Sequence, residues 1–459
     1  MKIYKNAMEM IGRTAMLELD TLDTGPCRLF AKLELNNPGN SVKDRIALTM
    51  IEQAEKRGEL KPGQRIVEGT AGNTGIALAL VARQKGYPLT LVIPDKMSPE
   101  KIATCRAMGA RVVLTRSDVG RGHPDYYQDL ARKIAEETGG HFINQFGNAD
   151  NALSHERTTA PEILEQLDGN VDAIVVGCGS SGTVTGIGRW LSKNAPHVEL
   201  IVADPEGSVV CDYINTGKVG TPGSWMVEGI GEDFIPDVAD MSFASKAYPV
   251  PDREAFLLAR ELLEKEGIMA GPSTGTLLGG ALAYCREQTE AKNVVTLACD
   301  TGNRYISKLF NDFWMWEQGF ITRHEYGDLR DLISRPHEDR ATVSVTPENT
   351  VATAHKRMVD NGFSQLPVVD EEQEHLLGGI NEADLLRAVV TADEGFDFPV
   401  HNVMNSRFPH VKVNVSKREL ATRMEYEPAL AVINSEGDFL GMVTRADLLG
   451  FFRRGGRLD

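Results

Sequence analysis

Short apolar runs alternate with helical patterns along the first two-thirds of the chain. Arg65 to Glu68, Leu89 to Ile93, Arg111 to Leu114, Asp172 to Val176 and Glu199 to Ala203 read as strands. Ile76 to Gln84 and Pro99 to Met108 read as helices between them. Strands alternating with helices predict a parallel sheet covered on both faces. Ile46, Met50, Ile51 and Ala54 repeat at helical spacing and predict a further helix that Gly58 stops. The turn Asn37-Pro38-Gly39-Asn40 leads into it, with Ser41 as the expected N-cap and Asp44 as the capping acid.

The pattern changes near residue 320. Thr322 to Asp328 is polar and reads as a linker. Beyond it lies an internal repeat. Leu366-Pro367-Val368-Val369-Asp370 leads to Leu377-Gly378-Gly379-Ile380 and then Ala383-Asp384-Leu385-Leu386. Leu430-Ala431-Val432-Ile433-Asn434 leads in the same way to Leu440-Gly441-Met442-Val443 and Ala446-Asp447-Leu448-Leu449. Each copy predicts strand, turn, strand and helix, and two copies predict a pseudo-symmetric pair sharing one core. The expected division is a domain at 1–320, a linker at 321–337 and repeats at 338–395 and 396–459.

Net charge is −16 with no basic cluster, which argues against nucleic acid or an anionic membrane as partner. No apolar run is long enough to span a bilayer, and the first residues lack a signal-peptide core. The six cysteines are scattered, with no Cys-x-x-Cys pair, so reduced thiols in a cytoplasmic protein are expected and a metal site is not.

Four loops carry the candidate chemistry. Lys43 falls in the first turn of its helix, where the dipole disfavours an ammonium and favours the neutral, nucleophilic amine. Glu68 to Gly75 joins a strand to a helix, and its Thr70, Asn73 and Thr74 suit a carboxylate or phosphate. Gly177-Cys178-Gly179-Ser180-Ser181-Gly182-Thr183 matches G-x-G-x-x-G, and Asp204 lies near the distance of a dinucleotide-binding acid. Its three hydroxyls and its place in mid-domain favour a phosphate monoester instead. Ala270 to Thr276 is the fourth loop, where Ser273 alone fits an ordinary N-cap.

These loops converge at the carboxyl ends of strands, where open α/β sheets bind ligands. A lysine, a phosphate cup, a carboxylate loop and a lone hydroxyl together point to pyridoxal 5′-phosphate. Asn37 to Arg45, Thr70 to Gly75 and Gly182-Thr183-Val184-Thr185-Gly186 resemble the tryptophan synthase β-type pyridoxal-phosphate enzymes. Within that group they look like cysteine synthases and cystathionine β-synthases. The likeness covers roughly residues 1–320, and the tail resembles paired Bateman repeats, a combination that points to the cystathionine β-synthase type.

The resemblance implies a two-lobed fold type II domain followed by two α/β repeats. It makes Lys43 the Schiff-base lysine and catalytic base. Asn73 would bond the cofactor's 3′-hydroxyl, and Gly179, Ser180, Ser181, Gly182 and Thr183 would hold its phosphate. Ser273 would face the pyridine nitrogen. Thr70, Ala71, Gly72, Thr74 and Gln145 would take the substrate carboxylate. Ala71 stands where members often have serine, which leaves the loop one hydroxyl short. The implied reaction joins L-serine to L-homocysteine, with hydrogen sulfide release from cysteine as a side reaction. The alternatives are O-acetylserine with sulfide, or a non-catalytic adenosyl-nucleotide sensor. Glu232 stands where animal enzymes carry tyrosine and is expected to pair with the homocysteine amine. Glu156 likewise resembles the cysteine synthases. Phe363, Gln365, Asp384, Thr444 and Asp447 match an adenosyl site that would take S-adenosylmethionine, although Asp384 and Asp447 equally fit as N-caps. No haem is expected, because the catalytic pattern starts within the first dozen residues. A homodimer or larger assembly is expected.

Overall fold

A computed structural model describes residues 3–458, apart from 71, 96, 121, 339–340, 371, 373–374 and 392–394. The chain packs as two units, Met1–Asn311 and Asp312–Asp459.

The first unit contains two sheets. The smaller has four parallel strands in the order Arg111–Thr115, Leu89–Pro94, Ile66–Gly69 and His141–Phe142. The larger has six, in the order Met16–Glu18, Arg28–Leu33, Asn293–Ala298, Ala173–Gly177, Glu199–Pro205 and Lys246–Val250. Its ladders are parallel except at the short edge strand Met16–Glu18. Helices Lys43–Arg57 and Asn73–Lys85 bury Ile46, Met50, Ile51, Ile76, Leu78 and Val81 over the small sheet. Helix Pro272–Arg286 packs on the large sheet through Leu278, Ala281 and Leu282.

All five expected strands and all three expected helices form, with ends shifted by up to three residues. Gly58 ends its helix in the left-handed conformation at φ 71°, with its N–H on the carbonyls of Ala54 and Glu55. The expected start of that helix differs. Val42 is its N-cap residue, without a side-chain cap. Ser41 accepts only a long bond from the Lys43 N–H, 3.3 Å. The Asp44 carboxylate turns back to the Gly39 N–H. The tight turn takes the acid because Gly39 presents its amide inward at the point where a capping box would need it.

The second unit contains the two repeats. Gln365–Val369 pairs antiparallel with Leu376–Asn381, followed by helix Glu382–Thr391. Ala429–Ile433 pairs antiparallel with Phe439–Thr444, followed by helix Arg445–Arg453. Helices Val351–Asn361 and Lys417–Met424 precede the hairpins. Within the stretch read as a linker, residues 329–333 are more than a spacer. Leu329, Leu332 and Ile333 are buried with Val411, Leu420, Leu430 and Val443 in the second repeat's core. Among the described residues, no helix is long and apolar enough to cross a membrane. No group of three or more His, Cys, Asp or Glu among them could hold a metal.

Candidate active site

Lys43 is the first residue of helix Lys43–Arg57 and is half-buried. Two residues on, Arg45 points the other way, into a dry ion cluster. Its guanidinium bonds Glu34 at 2.7 and 2.8 Å and Glu162 at 2.8 and 2.7 Å. Lys32 Nζ lies 2.9 Å from Glu162 and donates to the Thr14 carbonyl at 2.7 Å. Thr14 and Asn37 complete the shell of Glu34. Burial opposes ionisation of Glu162, yet Arg45 and Lys32 hold its carboxyl down at about 2. The cluster fixes the rear of the helix that carries Lys43 on its front.

The expected phosphate cup lies at the start of helix Gly182–Asn194. Ser181 has φ 65° and makes no side-chain cap, so the first-turn amides are left for a ligand. Asn151 donates to Ser180 Oγ at 2.9 Å, and His155 Nε2 lies 3.3 Å from Thr183 Oγ1. Burial, together with the charges of Arg45 and Lys43, pushes the imidazole down to about 3, so it stays neutral. The cradle has no room for side chains. A Cβ on Gly179 would lie 2.7 Å from the Gly229 carbonyl oxygen, and one on Gly182 would strike Asn151. Glycine amides, the Ser180 and Thr183 hydroxyls and an uncapped helix start fit the phosphate of pyridoxal 5′-phosphate; the Ser181 hydroxyl is buried instead, 3.1 Å from Cys178 Sγ.

The expected carboxylate loop is tied to this turn through Asn151, whose Nδ2 donates to the Gln145 carbonyl and to Ser180 Oγ, each at 2.9 Å. Thr74 Oγ1 donates to Gln145 Oε1 at 2.8 Å, which joins two of the expected substrate residues. The buried Glu68 carboxyl accepts the Asn144 N–H at 2.7 Å and the Gln145 N–H at 3.4 Å, and burial raises it to about 8. Thr70 Oγ1 accepts the Gly72 N–H at 3.4 Å. Lys101 packs so close that a Cβ on Gly72 would sit 3.0 Å from its Cδ. Ala71 lies outside the described residues.

Ser273 is the second residue of helix Pro272–Arg286, not its N-cap, which is Gly271. It bonds the thiol of Cys299, and burial pushes that thiol up to about 12. Cys299 belongs to a segment that sequence reasoning missed, residues 299–305. The Val42 N–H bonds the Cys299 carbonyl at 2.9 Å, and the Cys299 N–H bonds Thr274 Oγ1 at 3.0 Å. The Gly271 N–H bonds the Asp300 carbonyl at 3.1 Å, and Asn73 Nδ2 bonds the Asp300 carboxylate at 2.8 Å. One segment thus braces the Lys43, Asn73 and Ser273 loops. Its signal was available: it follows directly from the carboxyl end of strand Asn293–Ala298.

Glu232 is half-buried, and its carboxyl makes no hydrogen bond to the described protein. Burial and the neighbouring Asp233 and Asp204 push it up to about 8, against the opposing charge of Lys43. The Lys43 charge also acts on His155, Cys178 and Cys299, which puts the amine among the cup, Glu232 and the Ser273 loop. Glu156 instead pairs with Lys193 at 2.9 Å on the surface. Asp204 is fully buried and accepts the Cys211 N–H at 2.9 Å, so no ribose can reach it.

In the second unit, Thr444 and Asp447 form a complete capping box on helix Arg445–Arg453. Asn381 and Asp384 exchange backbone bonds at 3.0 and 3.2 Å at the equivalent start. Gln365 pairs with Asn381 in the hairpin, and Phe363 stacks 4.9 Å from Arg335.

The family description "Pyridoxal-phosphate dependent enzyme" matches residues 7–300, and the CBS domain matches residues 329–391 and 400–454. The chain is 34% identical to a cystathionine β-synthase of Oryctolagus cuniculus, over 98% of this chain and 85% of that protein. It is 39% identical to cysteine synthase A of Salmonella typhi, over 68% of this chain and 97% of that protein. The solved structure of an O-ureido-L-serine synthase superposes with a TM-score of 0.63 at 34% identity, covering 67% of this chain and 96% of that one.

Proposed function

Since this chain belongs to the pyridoxal-phosphate dependent enzyme family and carries a pair of CBS domains, we propose that it condenses L-serine with L-homocysteine to cystathionine, the cystathionine β-synthase reaction. The observation that carries this reading is the half-buried Glu232 carboxyl, which makes no hydrogen bond to the described protein and whose ionisation the charge of Lys43 favours. Sulfide has nothing for such a carboxyl to recognise, whereas homocysteine brings an ammonium.

Gly179, Ser180, Ser181, Gly182 and Thr183 would hold the cofactor phosphate, Asn73 the ring oxygen, and Ser273 the ring nitrogen. When bound there, the cofactor withdraws electrons from the substrate's Cα. Thr70, Ala71, Gly72, Thr74 and Gln145 grip the serine carboxylate and orient the Cα–H bond towards Lys43. The Lys43 amine removes that proton and delivers one to the departing β-hydroxyl oxygen. The homocysteine thiol then adds at Cβ and gives up its proton to Lys43, which returns one to Cα, with the homocysteine ammonium held by the ionised Glu232. The neutral Ser273 hydroxyl does not deepen the electron sink, which favours prompt loss of the β-group.

The test supplies serine or O-acetylserine with homocysteine or sulfide and compares kcat/KM. Serine with homocysteine should lead. O-acetylserine with sulfide leading would make the chain a cysteine synthase. For the second unit, we propose an adenosyl ligand at Phe363, Gln365, Asp384, Thr444 and Asp447, checked by calorimetry with S-adenosylmethionine. A homodimer or larger assembly is proposed with it, checked by light scattering.

A further inference from the structure

Asn73 does not stand alone in the cleft. Its Nδ2 donates to Asp300 Oδ2 at 2.8 Å, and its Oδ1 accepts from Arg304 Nη1 at 2.5 Å. Reversing the amide would set its N–H groups against the guanidinium and its oxygen against the carboxylate. One orientation alone satisfies both neighbours. It leaves the second Nδ2 proton as the one amide donor without a partner.

The clamp is itself braced. Arg304 Nη2 donates to the Gly39 carbonyl at 2.5 Å, in the turn that leads to Lys43. Asp300 is fully buried and accepts a second bond from the Tyr305 hydroxyl at 2.8 Å. Its other oxygen, Oδ1, is buried with no hydrogen-bond partner and lies against Gly271, where a Cβ would come within 2.2 Å.

We infer that Asp300 and Arg304 are positioning residues that fix the Asn73 amide so that its free N–H faces the ring oxygen of the bound cofactor. This rests on the reading of Asn73 as a cofactor ligand. Arg304 also polarises the amide, which makes that N–H a stronger donor. A strong donor stabilises the ionised ring oxygen over the protonated one.

The test is the absorption spectrum of the cofactor-loaded protein, in which these two forms give separate bands. Asp300→Asn and Arg304→Gln should each move the band ratio roughly tenfold towards the protonated form, as expected for a lost charge-assisted bond. Arg304→Lys should restore part of it. Asn73→Ala should shift the ratio at least as far, and adding Asp300→Asn to it should change nothing more. If Asn73→Ala shifts the bands and neither Asp300→Asn nor Arg304→Gln does, the positioning inference is overturned while the cofactor site stands. If Asn73→Ala leaves the bands unmoved, the reading of Asn73 falls, and the inference with it. Should Asp300→Asn fail to fold, the Arg304→Gln and Arg304→Lys pair decides the matter alone.

Discussion

Two sets of buried charges flank the first turn of helix Lys43–Arg57, and they follow opposite rules. Behind the helix, Lys32, Arg45, Glu34 and Glu162 form a balanced group of two cations and two anions, with each carboxylate bonded more than once. In front, Glu68, Asp44 and Glu232 are held well above their ordinary values by burial, to about 8, 7 and 8. None of the three forms an ion pair. A structural cluster neutralises its charges internally, because a lone buried charge is costly. Backbone amides serve the buried Glu68 and Asp44, and Glu232 alone of the three is left for a ligand to pair. Two residues of one helix separate the two regimes.

The comparison makes its largest prediction on activity. Lys43→Ala should lower kcat/KM by about 10²–10⁴-fold, as for loss of a catalytic base, with unfolding unchanged. Denaturant unfolding of the ligand-free protein checks the second half. A clear loss of stability would place Lys43 in the structural set.

Arg45→Met should do the reverse. It leaves the buried Glu34 without its ion-pair partner and Glu162 with Lys32 alone, and should cost about 3–5 kcal/mol by urea unfolding. Activity should fall only as far as the Lys43 turn shifts. An unchanged midpoint would mean that the cluster is not load-sharing and that the contrast with the cleft is empty.

The two sets should also titrate in opposite directions. Glu162 is depressed from 4.5 to about 2. Its contribution is therefore present above its unfolded value and is lost as pH falls from about 4.5 to about 2. Glu68 is raised from 4.5 to about 8. Its contribution is present below the unfolded value and is lost as pH rises through about 8. Thermal unfolding of the ligand-free protein from pH 3 to pH 9 should thus weaken at both ends. Arg45→Met should remove the acid limb alone; a matching change in the alkaline limb would break the separation.

The same contrast explains what could be read from the sequence. The Lys43 helix announces itself through Ile46, Met50, Ile51 and Ala54, and its end through Gly58, because these signals are local. The glycine-rich turn and helix start at Gly179 to Thr183 were legible because consecutive residues build them. The rear cluster was not, since Lys32 looks like a surface residue until the fold brings Glu162 and the Thr14 carbonyl to it. Asp300 and Arg304 were invisible for the same reason, as their partner Asn73 lies at the far end of the unit's sequence. Helix Val351–Asn361 was missed although Val351, Ala354 and Met358 repeat at helical spacing. Asp44 went to Gly39 because turn geometry, which no spacing rule captures, decided which amide was in reach.

The smallest effect falls on Glu232, whose side chain is only half-buried. Glu232→Gln should leave the ligand-free protein unchanged at pH 6, where the acid is already protonated. At pH 9 it should raise the melting temperature by only ~2 °C, because the wild-type anion is then unpaired. The same ionisation acts oppositely on binding. As pH rises through about 8, the wild-type carboxyl becomes an anion able to hold the homocysteine ammonium, so KM for homocysteine should fall. In Glu232→Gln only the share of that fall due to the thiol's own ionisation should remain, while the pH dependence with sulfide stays the same in both proteins. Sulfide isolates the ionisation of the attacking thiol, which would otherwise mimic the effect. A KM for homocysteine that falls equally in both proteins would remove Glu232 from the second substrate's site and leave it an unpaired acid of the cleft wall.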